Sequence, residues 1–226
     1  MRLRVAITRA APENAHTARR LQDLGHIPLL APLLDIQPRP FDTNIDGVQA
    51  LLFTSSSGVH AFASHSHARG APVLAVGDAT AQAARARGFA SVRSADGDVA
   101  SLAALVVGTL DASAGKLLHI AGTHVAGDLQ GTLRKAGYSI ERRLAYEAVA
   151  VTTLPKCFQE PLDAVLFHSA RAAAIFADLG APKADKLAAV CMSDAVAEAA
   201  KKTVWKQVLV AAAPREDTLL ATLHAV

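Results

Sequence analysis

Five short stretches of this 226-residue sequence place Ser, Thr or Gly directly after an apolar run and ahead of an Ala-rich or polar one. They are Thr54-Ser55-Ser56-Ser57-Gly58, Gly77-Asp78-Ala79-Thr80, Ala121-Gly122-Thr123, His168-Ser169-Ala170-Arg171 and Met192-Ser193-Asp194. At a strand-to-helix turn, the first backbone N–H groups of the helix have no partner within it. They can bind an anion without a buried counter-charge. Side-chain hydroxyls at the same turn add further donors. The same residues also make ordinary helix caps, so each turn taken singly has both readings. Arg9 ends the first apolar run and Arg171 sits inside the fourth turn. Either can pair with a carboxylate, and a surface salt bridge is the alternative for both. Lys186, just before another run, is a weaker candidate. Tyr146 is one of only two tyrosines. Its phenol can act as a hydrogen-bonding acid, and a packed aromatic with a satisfied hydroxyl is its alternative.

Other chemistries find no support. His60, His65 and His67 lie close together, but no cysteine or acidic cluster completes a metal set, and a polar helix end is the better reading. His119 and His124 flank Gly122, where a contact with a ligand competes with simple half-burial. The two cysteines, Cys157 and Cys191, exclude a disulfide framework or a four-cysteine zinc site. There is no glycine-rich dinucleotide fingerprint, P-loop or nucleophile elbow, which argues against NAD, ATP and acyl-transfer chemistry. Lysine and arginine total 23 against 20 acidic residues, and aromatics are 4%. A net charge of +3 without a basic, aromatic-studded stripe argues against nucleic acid. No apolar stretch reaches the roughly 18 residues of a membrane span. No signal-peptide core follows the first residues. With 51% hydrophobic residues the chain has the material for a real core. A soluble, cytoplasmic protein is expected.

The elements that must hold these residues alternate. Residues 3–8 read as a strand and 14–24 as a helix stopped by Gly25. Further strand-like runs fall at 27–30, 50–54, 73–76, 91–93, 116–121, 139–148, 164–168, 187–191 and 208–211, most with a helical segment between them. That rhythm predicts parallel sheets covered on both faces. The chain also repeats itself. Ala50-Leu51-Leu52-Phe53-Thr54-Ser55 matches Ala164-Val165-Leu166-Phe167-His168-Ser169, and Phe62 matches Phe176 at the same offset of 114. Val76 with Val190, Ala81 with Ala195 and Ala83 with Ala197 continue it, and Ala95 and Leu102 match Ala213 and Leu220 at 118. Two similar units arising by convergence is the alternative to a true repeat. Five strands per domain result if the first two strands join the C-terminal half. One domain is then expected over 1–34 and 152–226, the other over 38–148, with crossings at 35–37 and 149–151. Two crossings suit a hinge and a cleft, and ligands in such folds bind at the carboxyl ends of strands.

Several of these residues, taken in order, carry a resemblance. Val5-Ala6-Ile7-Thr8-Arg9 opens the chain, and Leu52-Phe53-Thr54-Ser55 with Gly58-Val59 follows. Next come Val73-Leu74-Ala75-Val76-Gly77-Asp78-Ala79-Thr80-Ala81, then Gly88-Phe89, then Leu144-Ala145-Tyr146-Glu147 and the second Phe-x-Ser unit. Nearly the whole chain resembles the uroporphyrinogen-III synthase family. The resemblance implies an α/β fold: two flavodoxin-like three-layer domains with parallel sheets, joined by a two-stranded linker, with the active site in the cleft. It implies a monomeric enzyme with no metal and no organic cofactor. The implied substrate is a small molecule, the linear tetrapyrrole hydroxymethylbilane, with no nucleic acid or membrane partner. The reaction closes it to uroporphyrinogen III, inverts the terminal pyrrole ring and releases water. Each pyrrole carries acetate and propionate arms, so the site must hold many carboxylates. Arg9, Thr54, Ser55, Ser56, Gly77, Thr80, Gly122, Ser169, Arg171 and Ser193 are the expected substrate-binding positions. Tyr146 matches the family's tyrosine and is the expected catalytic residue, assisting loss of the terminal hydroxyl. The azafulvene so formed is reactive in itself, so correct folding of the substrate carries much of the rate. One departure stands out: aligned at the offset of 114, Cys191-Met192 falls where Gly77 stands in the first unit and where the family has Gly-Pro. That departure favours the rival reading, a non-catalytic bilobal binding or sensor protein for an anionic small molecule. A flavin-binding or response module is a second rival, and the absence of an acidic cluster at Thr8-Arg9 counts against phosphotransfer.

Overall fold

The computed structural model describes residues 1–124 and 127–226. The chain divides into two compact units, Met1–Asp35 with Val149–Val226, and Ile36–Ala148. The elements in chain order are β1 (Arg4–Ile7), α1 (Glu13–Asp23), β2 (Ile27–Leu30), β3 (Leu34–Pro38), β4 (Val48–Phe53), α2 (Ser56–His65), β5 (Val73–Ala75) and α3 (Asp78–Ala86). Then follow β6 (Val92–Ser94), α4 (Val99–Thr109), β7 (Lys116–Gly122), α5 (Leu129–Lys135) and β8 (Ile140–Ala150). The chain closes with β9 (Ala164–Phe167), α6 (Ala170–Asp178), β10 (Ala188–Cys191), α7 (Asp194–Ala200), β11 (Gln207–Val210) and α8 (Glu216–Ala221).

The first unit holds a sheet in the order β11-β10-β9-β1-β2, every pair parallel. The central strands are buried on both faces, as parallel strands under helices must be. In β9, Val165 and Phe167 pack with Phe176, Val196 and Ala197 of α6 and α7. Ala164 and Leu166 point the other way, to Leu21 of α1 and Leu219 of α8. The second unit repeats this layering. Leu51 and Phe53 of β4 face Val59 and Phe62 of α2, whereas Ala50 and Leu52 face Leu102 of α4 and Leu133 of α5. Its sheet runs β3-β8-β7-β4-β5-β6, and β4 to β8 are mutually parallel. The edge strand β3 runs antiparallel to β8: Arg39 N–H reaches Ala145 O at one end and Val151 N–H reaches Leu33 O at the other. These are the two segments by which the chain passes from one unit to the other, so the linker is a two-stranded ladder.

The two sheets are circular permutations of each other. Numbered along the chain, the first unit has the 2-1-3-4-5 order of flavodoxin-like sheets. The second reaches the same arrangement when β7 and β8 take the places of β1 and β2. The internal repeat follows: β4 corresponds to β9 and β5 to β10. Strand register corrects its alignment, however. Phe53 pairs with Ala75 and Phe167 with Cys191. The structural counterpart of Cys191 is therefore Ala75, at an offset of 116, and not Gly77. Gly77 corresponds to Ser193, and both are helix N-caps followed by an aspartate. Burial agrees: Ala81 and Ala84 match Ala197 and Ala200, all buried. Ala95 likewise matches Ala211, since each donates its N–H to the paired strand residue, Ala75 O and Cys191 O. The second half has two more residues between Phe176 and Ala189 than the first has between Phe62 and Val73, which a single fixed offset cannot show. Cys191 is thus a core residue, its thiol pushed up to about 12 by burial.

Candidate functional site

The second unit gathers several singled-out residues at the carboxyl ends of β4 and β7 and on the part of β8 that pairs there. Ser55 is the N-cap of α2, and its Oγ accepts from Gly58 N–H at 3.2 Å. The same Oγ lies 2.7 Å from the Tyr146 hydroxyl. Gly58 allows this approach. A Cβ there would stand 2.7 Å from Ile120 O, so only glycine lets the first turn of α2 rest on the end of β7. Gly122 plays the matching part under the tyrosine, where a Cβ would stand 2.6 Å from the Tyr146 ring.

Tyr146 reaches this place through a break in strand register. Ala121 pairs with Leu144, but Gly122 pairs with Tyr146, so β8 spends two residues where β7 spends one. Such a bulge turns the following side chain to the other face. Without it Tyr146 would share the face of Arg142. With it, both Ala145 and Tyr146 join the apolar cluster of Phe53, Val59 and Phe62 beneath α2. The ring is 8% exposed.

On the opposite face of the same strands lies a polar group. Thr54 Oγ1 is 3.1 Å from His119 Nε2. Arg142 Nη2 donates to Gly122 O at 2.5 Å and to Thr123 O at 3.1 Å. His119 is buried, and burial together with the nearby Arg142 charge lowers its pKa from 6.5 to about 4. It is therefore neutral at pH 7. Its Nδ1 and the Nε of Arg142 are buried without a hydrogen-bond partner. Arg142 is the residue that sequence reasoning passed over. The available signal was a pair of arginines, Arg142-Arg143, in the interior of a long strand. Arg143 is structural, since its guanidinium binds Glu141 and the carbonyls of Asp42 and Asn44.

In the first unit the corresponding turns are arranged differently. Arg9 is taken up inside the protein: its Nη1 is 3.0 Å from Glu216 Oε2. Glu216 Oε1 also accepts from Thr17 Oγ1 at 2.6 Å, and Glu216 Oε2 lies 3.1 Å from His168 Nε2. Burial alone would raise the Glu216 carboxyl, but these partners hold it well below its ordinary 4.5. Ser169 caps α6 by accepting from Ala172 N–H at 3.2 Å. Arg171 is half-buried and has no ion-pair partner among the described residues. Ser193 is the N-cap of α7 but makes no side-chain capping bond. Lys186 lies at the amino end of β10, the wrong end of the sheet for these turns. In the second unit Ser56 and Thr80 are buried in the first turns of α2 and α3. A Cβ on Gly77 would meet nothing closer than Gly97 O at 3.9 Å, so no packing inside the protein demands glycine there. His60 and His65 are held by Arg87 and by the Ala61 carbonyl respectively. Among the described residues no helix is long and apolar enough to cross a membrane.

The fold and these turns define a class: a two-domain, doubly wound α/β protein with Ser/Thr-rich strand-to-helix turns. The family follows from comparison. The model of the uroporphyrinogen-III synthase HemD family matches residues 15–221, and the chain belongs to that family. Uroporphyrinogen-III synthetase from Helicobacter pylori superposes with a TM-score of 0.69 at 15% identity, covering 100% of this chain and 99% of that one. A mutant uroporphyrinogen III synthase from Thermus thermophilus gives 0.55 at 18% identity, covering 99% and 98%. At these identities the likeness is one of fold. A search of curated proteins found no match.

Proposed function

We propose that this chain is a uroporphyrinogen-III synthase, closing hydroxymethylbilane to uroporphyrinogen III with inversion of the terminal pyrrole ring. The observation that supports this best is the Tyr146 hydroxyl held 2.7 Å from Ser55 Oγ at the head of α2. Tyr146 hydrogen-bonds the hydroxyl on the terminal carbon of the substrate. The C–O bond breaks with the electron pair going to oxygen, the hydroxyl leaves with a proton as water, and the pyrrole N–H proton is lost. The resulting azafulvene is captured within the same chain, with the terminal ring turned over. The product is the substrate less one water, so the step needs no oxidant or reductant.

Ser55 fixes the phenol, and the ring is packed beneath α2 so that its hydroxyl end carries the chemistry. The turns at Thr54, Ser55, Ser56, Gly77, Thr80 and Gly122, with Ser169, Arg171 and Ser193 of the other unit, bind the carboxylate arms. Arg9 acts through Glu216 rather than on the substrate. The protein works as a monomer without a resident cofactor. An assay that generates hydroxymethylbilane in place, then oxidises and separates the products, tests the reading. A protein-dependent excess of the type III isomer is expected. Formation of the type I isomer alone, by a folded protein, would overturn the reading and leave a binding protein in its place.

A further inference from the structure

Beside Thr54 and behind the tyrosine lies a small cavity of about 50 Å³, lined by His119, Asp128, Gln130 and Arg142 among others. A single water occupies roughly 30 Å³ of liquid, so the space suits one small polar group and not a ring. His119 and Arg142 line it, and one buried nitrogen of each, His119 Nδ1 and Arg142 Nε, has no hydrogen-bond partner. Buried polar atoms are ordinarily satisfied, and such an orphan needs an explanation. Arg142 has already committed Nη2 to the carbonyls of Gly122 and Thr123. That fixes the guanidinium and leaves Nε–H as a spare donor. Thr54 can donate its hydroxyl proton to His119 Nε2, and the ring hydrogen then sits on Nδ1. Asp128 lines the same space, but its Oδ1 is occupied in accepting Gly131 N–H at 2.8 Å.

Resting on the function proposed above, we propose that this cavity is a carboxylate subsite. One acetate or propionate arm of the substrate binds there, accepting from Arg142 Nε–H and His119 Nδ1–H. Arg142 supplies the positive charge, and His119, neutral at pH 7, supplies a second directed donor. The subsite lies across the sheet from Tyr146, so it sets which way the substrate enters and takes no part in the chemistry.

Two histidine variants separate this role from a structural one. The amide of Gln reaches the position of Nε2, and that of Asn the position of Nδ1. His119→Gln therefore keeps the Thr54 contact and removes the donor to the cavity, whereas His119→Asn does the reverse. Arg142→Lys keeps the charge and removes Nε–H. We expect His119→Gln and Arg142→Lys to raise KM for hydroxymethylbilane about tenfold or more, the usual loss for a charge-assisted hydrogen bond, with kcat nearly unchanged. His119→Asn, which keeps the donor and loses only the Thr54 contact, should raise KM less than His119→Gln does.

A second readout is independent of turnover. Sodium propionate titrated against 15N-labelled protein, at ionic strength held constant with chloride, should shift the His119 ring nitrogens saturably, and Arg142→Lys should abolish the shift. Propionate shifts in a protein that forms no type III isomer would keep the subsite and overturn the reaction. Type III formation with unaltered KM in both variants and no propionate shift would overturn the subsite and keep the reaction. A saturable shift produced equally by chloride alone would overturn the carboxylate assignment.

Discussion

At the scale of single residues, the tyrosine is expected to matter through its hydroxyl and not its ring. Tyr146→Phe leaves the ring in the apolar cluster beneath α2 and removes only the group 2.7 Å from Ser55. Its kcat for type III formation should fall about tenfold to a hundredfold, the low end of the range for a positioned acid, with an unchanged circular-dichroism spectrum. Unaltered turnover in that folded variant would remove Tyr146 from the mechanism. Gly122→Ala attacks the same group from below. A Cβ 2.6 Å from the ring must displace it, since the ring is packed on its other side. The same loss of kcat is expected, with roughly 1–3 kcal/mol of destabilisation from overpacking. Combined with Tyr146→Phe it should cost little further activity, because both changes remove one contact. Fully multiplicative losses would mean that Gly122 acts elsewhere. The sequence made Ser55, Gly122 and Tyr146 legible as types at turns. It could not show that they meet, because the meeting depends on a bulge that composition does not mark. Arg142 was hidden for a related reason. A charged residue in a strand reads as its solvent face, and only the pairing of β8 beside β7 turns this one toward His119.

At the scale of elements, the repeat illustrates what spacing can and cannot carry. The Phe-x-Ser match of β4 with β9 was legible because those strands are central and buried on both faces, so every position is constrained. The alignment failed one helix later, since a loop can gain two residues at little energetic cost. The apparent oddity of Cys191 came from that slip alone. The network binding α8 to β1, α1 and β9 was not legible, because Arg9, Thr17, His168 and Glu216 are far apart in sequence. It makes a prediction about acid. The carboxyl of Glu216 titrates below its ordinary 4.5 in the folded state, so the unfolded chain takes up the proton first. The stability it confers is complete above about pH 4.5 and is lost as pH falls below that value. His168, lowered by burial, acts in the same direction below its ordinary 6.5. Glu216→Gln should cost about 1–3 kcal/mol at pH 7, because it leaves Arg9 unmatched. It should also flatten the decline of the thermal midpoint between pH 4.5 and 3. A variant that declines as steeply as wild type across that window would show that Glu216 is not the group responsible.

At the scale of the whole molecule, permuted sheets and separate cores imply that the chain is one flavodoxin-like unit with a second inserted into it. Among the described residues, each apolar cluster draws its buried residues from a single unit. Each unit also carries helices on both faces of its own sheet and falls within the usual size of an independent domain. The insertion leaves and returns at neighbouring points, since Leu33 O accepts from Val151 N–H at 3.1 Å. Replacing the inserted unit by a two-residue Asn-Gly turn between antiparallel ends therefore closes the first unit without strain. The joined segments 1–35 and 149–226 should then melt cooperatively as a protein of their own, and so should 36–148 expressed alone. Neither should form the type III isomer, because the proposed function draws its acid, Tyr146, from one unit and the proposed carboxylate contacts Ser169, Arg171 and Ser193 from the other. Dispersed amide spectra and a sharp thermal transition for each fragment would establish the units as independent. A molten or aggregated 36–148 fragment would mean that its edge strand, β3, needs the residues beyond it. Type III formation by that fragment alone would place the whole reaction in the second unit and remove the three residues of the first from substrate binding.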